Sequence, residues 1–346
     1  SFNTKKVKYM YTMFNGATNL RSIKLPKGFI ASSVTDLDAT FKGCESLTEL
    51  DLSGSNSENV KDMKEMFYGC KALSKLVLTD FKTEQVTTME SMFFFCSTLE
   101  TLDVSSFNTE NVTTMLGMFN NCSSLRSLDL PGFNTANVTQ MSSMFKKCSS
   151  LRSLDLSSFD TRKVTEMQSM FEGCTNLESI DLSSFDTENM ISMIGMFFSC
   201  TKLETLDLSS FATPSMISMS CAFENCENLK TIYVSSAFTT DKVTVHFSAF
   251  DGCVNLPNFN PDKREVISRL LLPPGCDGMR QPARSPSIAA PRSLRATTSL
   301  VWVMEKIRNG IPMLQKFRRL SSKLVSGMKP TRRAPIGLMV VRILPA

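Results

Sequence analysis

Cysteine is the first residue in this chain whose spacing invites a chemical reading. Cys44, Cys70, Cys96, Cys122, Cys148, Cys174, Cys200 and Cys226 follow one another every 26 residues, and Cys253 follows at 27. Such a row could bind metal, form disulfides or serve structure. A metal site calls for histidines or closely paired thiols, and the row has neither. Coils stacked about 4.8 Å apart would bring neighbouring cysteines into disulfide range. Side chains repeated in register point the same way, however, and a buried thiol behaves as a compact hydrophobe. The row therefore reads as a small apolar peg closing a tight turn. Cys221, Cys226 and Cys276 depart from the simple pattern, so a disulfide stays open there.

A second row carries charge. Asp51, Asp103, Asp129, Asp155, Asp181 and Asp207 each lie between two apolar residues that share one side of a short extended segment. They are therefore expected to face outward, flanked by hydroxyls such as Thr101 and Ser105 or Ser153 and Ser157. Unit charges at this spacing repel by about 1 kcal/mol per neighbour in water. Two readings follow. In one, each carboxylate accepts hydrogen bonds from Ser, Thr or backbone N–H groups and stabilises its turn. Alternatively the row forms an acidic, hydroxyl-rich strip for cationic protein segments or Ca²⁺.

Catalytic chemistry finds little support. His246 is the sole histidine, so a nucleophile–base–acid triad has only one position for its base. No phosphate-binding glycine motif occurs. Every other candidate residue recurs in many copies, which marks scaffold. The chain is expected to be no enzyme and to need no cofactor. Two methionine rows, one from Met63 to Met219 and one from Met66 to Met196, keep the same period and read as core. The N-x-S/T matches at Asn111, Asn121 and Asn137 are by-products of the repeat.

The elements that position these rows follow from one comparison. Residues 123–148 read SSLRSLDLPGFNTANVTQMSSMFKKC and residues 149–174 read SSLRSLDLSSFDTRKVTEMQSMFEGC, identical at 17 of 26 positions. A fixed period of this length marks a solenoid, in which each copy buries a face that no copy could bury alone. Leu128-Asp129-Leu130 alternates as a strand does. Met141, Met144, Phe145, Cys148 and Leu151 fall at steps of about three, which predicts one-turn 3₁₀-like segments. The expected fold is an α/β solenoid, mostly β. Its coil is right-handed, with a parallel sheet on one face and short helical or 3₁₀ turns in each 26-residue repeat.

The pattern LxxLDLSSFxTxxVxxMxxMFxxC resembles the repeat of the BspA-like leucine-rich-repeat surface proteins over residues 1 to about 260. The resemblance implies a leucine-rich-repeat solenoid displayed on the cell surface or secreted. It also implies an adhesin-like role, with extracellular or host proteins as partners and a glycan as a further candidate. Phe81, Phe107, Phe133, Phe159, Phe185 and Phe211 stand where better-known leucine-rich repeats place asparagine, so the backbone at that turn needs other hydrogen-bond partners. A structural stalk for another domain is the rival reading.

Composition divides the chain near Asp262. Residues 1–262 hold 21 basic and 30 acidic residues, whereas residues 263–346 hold 17 and 3. The solenoid is assigned to 1–262. The basic remainder, 263–346, keeps nothing of the repeat and is expected to be disordered or the product of an out-of-frame read. Its stretch 301–325 is loosely amphipathic but interrupted by Pro312, a weak membrane-surface motif. No nucleic-acid partner is expected. Ser1-Phe2-Asn3-Thr4 matches Ser106-Phe107-Asn108-Thr109, so the sequence opens within a copy, as a fragment would, and any signal peptide would lie upstream.

Overall fold

The computed structural model describes residues 3–256. The basic tail, Cys276 and the 301–325 stretch lie outside these residues. Successive copies stack as coils. Six short strands are the regular elements among the described residues: β1 (Glu49–Asp51), β2 (Lys75–Val77), β3 (Ser153–Asp155), β4 (Ser179–Asp181), β5 (Thr205–Leu208) and β6 (Thr231–Val234). They pair in parallel as β1–β2, β3–β4 and β5–β6. The register is one copy, with Leu50 opposite Leu76 and Leu154 opposite Ile180. The single continuous sheet expected on this face is thus three two-stranded pieces, and residues 101–104 and 127–130 between them carry no strand.

Coil-to-coil bonding is more continuous on another side. Parallel bridges run from Tyr9 through Asp36, Asp62, Thr88, Thr114 and Gln140 to Glu166, and again from Ser192 through Ser218 to Val245. Here the structure corrects the expectation of helical turns: no α- or 3₁₀-helix occurs among the described residues. In residues 141–148 the N–H groups alternate in direction. Those of Met144, Lys146 and Cys148 bond three residues back, to Met141, Ser143 and Phe145. Those of Met141, Ser143, Phe145 and Lys147 bond to Glu166, Gln168, Met170 and Glu172 of the next coil. A 3₁₀-helix would keep every N–H within its own coil. Left-handed residues prevent that. Ser143 and Lys147 have φ of 59° each, and the same two positions are left-handed in neighbouring coils, as at Ser169 and Gly173. The segment is a run of consecutive tight turns, each of which hands alternate donors to its neighbour.

The core is built of rows. Leucine, valine, methionine, phenylalanine and cysteine side chains at the repeat positions are buried from Phe41 to Cys253. Both methionine rows are interior, with Met63, Met89, Met115 and Met141 fully enclosed. The phenylalanines that precede the cysteines form a stack from Phe14 to Phe250, with successive centroids 5.1–5.9 Å apart. Such aromatic pairs add about 0.5–1.5 kcal/mol each beyond the area they bury. The second phenylalanine row is also buried, with Phe133 and Phe159 stacked at 6.5 Å and Phe185 and Phe211 at 6.1 Å.

Candidate functional site

All six aspartates of the outward row are exposed, as their alternation with buried leucines requires. Most are tied locally. The N–H of Ser53 donates to Asp51 Oδ1 at 2.8 Å, that of Ser157 to Asp155 at 2.9 Å, that of Ser183 to Asp181 at 2.9 Å, and that of Ser209 to Asp207 at 2.8 Å. Asp103 accepts both the N–H and the hydroxyl of Ser105, at 3.0 and 2.6 Å. The serine hydroxyls, and then these N–H groups, hold the carboxyls of Asp51, Asp103 and Asp155 below the usual carboxylate range. At Asp181 the N–H of Ser183 leads and its hydroxyl follows. Asp129 lacks this bond because Pro131, two residues on, has no N–H.

The row therefore combines two roles. Oδ1 closes the turn after the strand, while the exposed carboxylate remains open to a partner. Ion pairs join neighbouring coils three residues before the aspartate position, with Arg126–Glu100 at 3.3 Å and Lys230–Glu204 at 2.7 Å. No group of three or more His, Cys, Asp or Glu side chains converges as a metal cage among the described residues.

The cysteine row sits inside. Each of its nine thiols is buried and free. Each also donates to a backbone carbonyl of the preceding coil: Cys44 to Phe14, Cys70 to Phe41, Cys148 to Phe119 and Cys253 to Phe223, at 2.9–3.2 Å. The apolar-peg reading is thus incomplete, since the S–H adds a second donor to a carbonyl that already accepts an N–H of its own turn, as Phe119 does from Cys122. Burial pushes the thiols of Cys122 and Cys174 up to about 12, and that of Cys148 well above its ordinary value. These are poor nucleophiles. Cys221 is half-buried and free, so CAFENC holds no bridge.

A row of hydroxyls supplies what the missing asparagines would have supplied. Thr83, Thr109, Thr135, Thr161, Thr187 and Thr213 are all buried. Thr135 Oγ1 donates to the Asp160 carbonyl at 2.9 Å and accepts from the Asp160 N–H at 2.7 Å. Thr83 makes the same pair with Asn108, at 2.8 and 2.7 Å, and Ser57 with Lys82, at 2.8 Å each. One hydroxyl thus serves a donor and an acceptor of the next coil. The invariant spacing of the T in SFxT carried this signal, but nothing in its polarity announced burial. Asn111 and Asn137 of the N-x-T matches are likewise engaged, their amides donating to Glu84 and Glu110 one coil back at 2.8 Å.

The sequence profile of a family described as "Mycoplasma protein of unknown function, DUF285" matches residues 1–93, 74–155 and 148–262. The chain belongs to the DUF285 family. The three matches overlap and together span the repeats of this DUF285 chain. Two solved structures are similar to it. One is a leucine rich cell surface protein from Faecalibacterium prausnitzii A2-165, 18% identical over 69% of this chain and 80% of that one, with a TM-score of 0.31. The other is a leucine-rich repeat protein from Bacteroides ovatus ATCC 8483, 17% identical over 72% and 81%, with a TM-score of 0.31. The search of curated proteins finds no match.

Proposed function

We propose that this DUF285 chain is a non-catalytic binding protein of the cell surface or the secreted fraction. Its right-handed solenoid meets a partner protein along the outward strand face. The observation that carries this reading is the division of labour between rows. Cysteine, threonine, methionine and phenylalanine are consumed by the interior. The aspartates alone combine chemical character, repetition and exposure. A row of like charges set between hydroxyls and flanking ion pairs suits a cationic protein segment, whose contacts would be individually weak and add along the rod. The test uses the full chain, titrated against extracellular-matrix proteins by surface plasmon resonance. The triple variant Asp129→Lys, Asp155→Lys, Asp181→Lys should lose affinity at least about tenfold, the equivalent of 1.4 kcal/mol. Binding unchanged by the triple variant would remove the strip from the site, and no binding to any such protein would favour a stalk.

A further inference from the structure

The second phenylalanine row has one gap. Phe29 and Phe81 hold its register on either side, and the position between them, 26 residues from each, is Ser55. The turn is otherwise conserved: the Ser55 N–H bonds to Leu52 just as the Phe81 N–H bonds to Leu78. Where the phenyl ring is missing, the strand face opens into a concavity of about 550 Å³. A second irregularity borders it. Phe14 and Phe41 are 27 residues apart, one more than the repeat, and the extra residue falls in Leu25-Pro26-Lys27-Gly28. This coil pairs with β1 only through the single bridge Ser22–Glu49.

The lining is chemically mixed in a definite way. Ile23, Leu25 and Val77, each half-buried, and the exposed Pro26 form an apolar floor over the buried Phe29, Leu50 and Leu52. Ser22, Ser53 and Ser55 add hydroxyls. Ser55 is 9% exposed. Lys24, Lys27 and Lys75 stand at the rim beside Glu49 and Asp51. Lys24 occupies the outward position that is aspartate in six later coils. The first 35 residues hold six basic residues and no acidic one, whereas residues 36–262 hold 15 basic and 30 acidic. The concavity is thus a cationic station on an acidic rod.

We propose that this concavity is a binding site for an acidic sugar, a pyranose bearing a carboxylate. The lysines pair with the carboxylate, the serines and the rim carboxylates exchange hydrogen bonds with ring hydroxyls, and the apolar floor receives the C–H face. Both the volume and the pairing of an apolar floor with a few polar groups are those of small-ligand sites. Neither phosphate nor an acidic peptide would use the floor and the rim acceptors together. The site shares Asp51 with the aspartate row but none of its members from Asp103 onward, and the residues altered in the test of the function proposed above lie outside it, so the two fail independently.

The test titrates the full chain by calorimetry with sialyllactose, a digalacturonate, neutral lactose, inorganic phosphate and a short glutamate peptide. At least one of the two acidic sugars should bind, and at least about tenfold more tightly than lactose, phosphate or the peptide. Which one binds tells a sialic acid from a uronic acid. Ser55→Phe restores the row, should melt at or above the wild-type temperature, and should abolish binding. Lys75→Gln, an exposed substitution, should weaken binding about tenfold through the loss of one charge-assisted contact. The proposal is overturned if neither acidic sugar binds, if lactose, phosphate or the peptide binds as well, or if both variants bind as the wild type does.

Discussion

Replacing Thr135 by valine removes one oxygen and preserves the shape of the side chain. The oxygen now holds both the N–H and the carbonyl of Asp160, at 2.7 and 2.9 Å, from a position with no exposed surface. An unpaired buried polar group costs about 1–3 kcal/mol. Asp160 itself is half-buried, so water can partly replace the lost partner. Two groups discounted in this way put Thr135→Val at about 2–4 kcal/mol destabilising. Thr135→Ser keeps the hydroxyl and loses one methyl, for about 1 kcal/mol. Ser57 shows that serine can fill this role, making both bonds at 2.8 Å. Urea unfolding followed by backbone circular dichroism would measure the difference, since the single tryptophan, Trp302, lies outside residues 3–256. Hydrogen exchange gives a local readout: the Asp160 amide should open roughly 30-fold more readily in the valine variant, the equivalent of about 2 kcal/mol. If valine proves as well tolerated as serine, the hydroxyl row does not hold the coils together.

Two further outcomes follow from the same interior. Because the folded protein keeps Cys174 protonated to about 12, the unfolded chain binds fewer protons than the folded one above pH 9. Stability should therefore fall as pH rises from 9 towards 12, and Cys174→Ala should lessen the slope by about 1.4 kcal/mol per pH unit in urea titrations across that range. Gly132→Ser copies the residue found at Ser106, Ser158, Ser184 and Ser210, yet a Cβ at 132 would lie 2.1 Å from the Phe107 carbonyl oxygen. It should cost about 1–3 kcal/mol in thermal or urea unfolding, and a neutral result would mean that the backbone yields at that turn.

The rows themselves were legible from the sequence. The period placed Leu128 and Leu130 inside and Asp129 outside, and it placed the methionines and phenylalanines in the core, because a residue's side depends on spacing alone. What spacing does not carry is the sign of φ. Left-handed positions are filled by glycine at Gly69 and Gly173 but by phenylalanine at Phe95 and lysine at Lys147, so no glycine pattern marked the turns. Steps of about three along Met141, Met144 and Phe145 fit a helix and a chain of turns equally well. Polarity is no better a guide. Thr135 is polar by type and lies buried because the next coil brings both a donor and an acceptor to it. Ser55 is by type one more serine in a serine-rich turn, and its meaning comes from the phenylalanines one copy away on either side.

The hydroxyl, thiol and amide bonds between coils share a property that reaches beyond stability. Each joins a residue to a partner 25 to 30 positions away, in the adjacent coil and no further. A whole copy can therefore be added or deleted at any internal boundary without orphaning a single kind of contact. Recombination between similar copies, such as those at 123–148 and 149–174, would lengthen or shorten the rod in increments of about 4.8 Å. Reach becomes a quantity that a lineage can adjust by copy number, while the chemistry of every rung stays as it was.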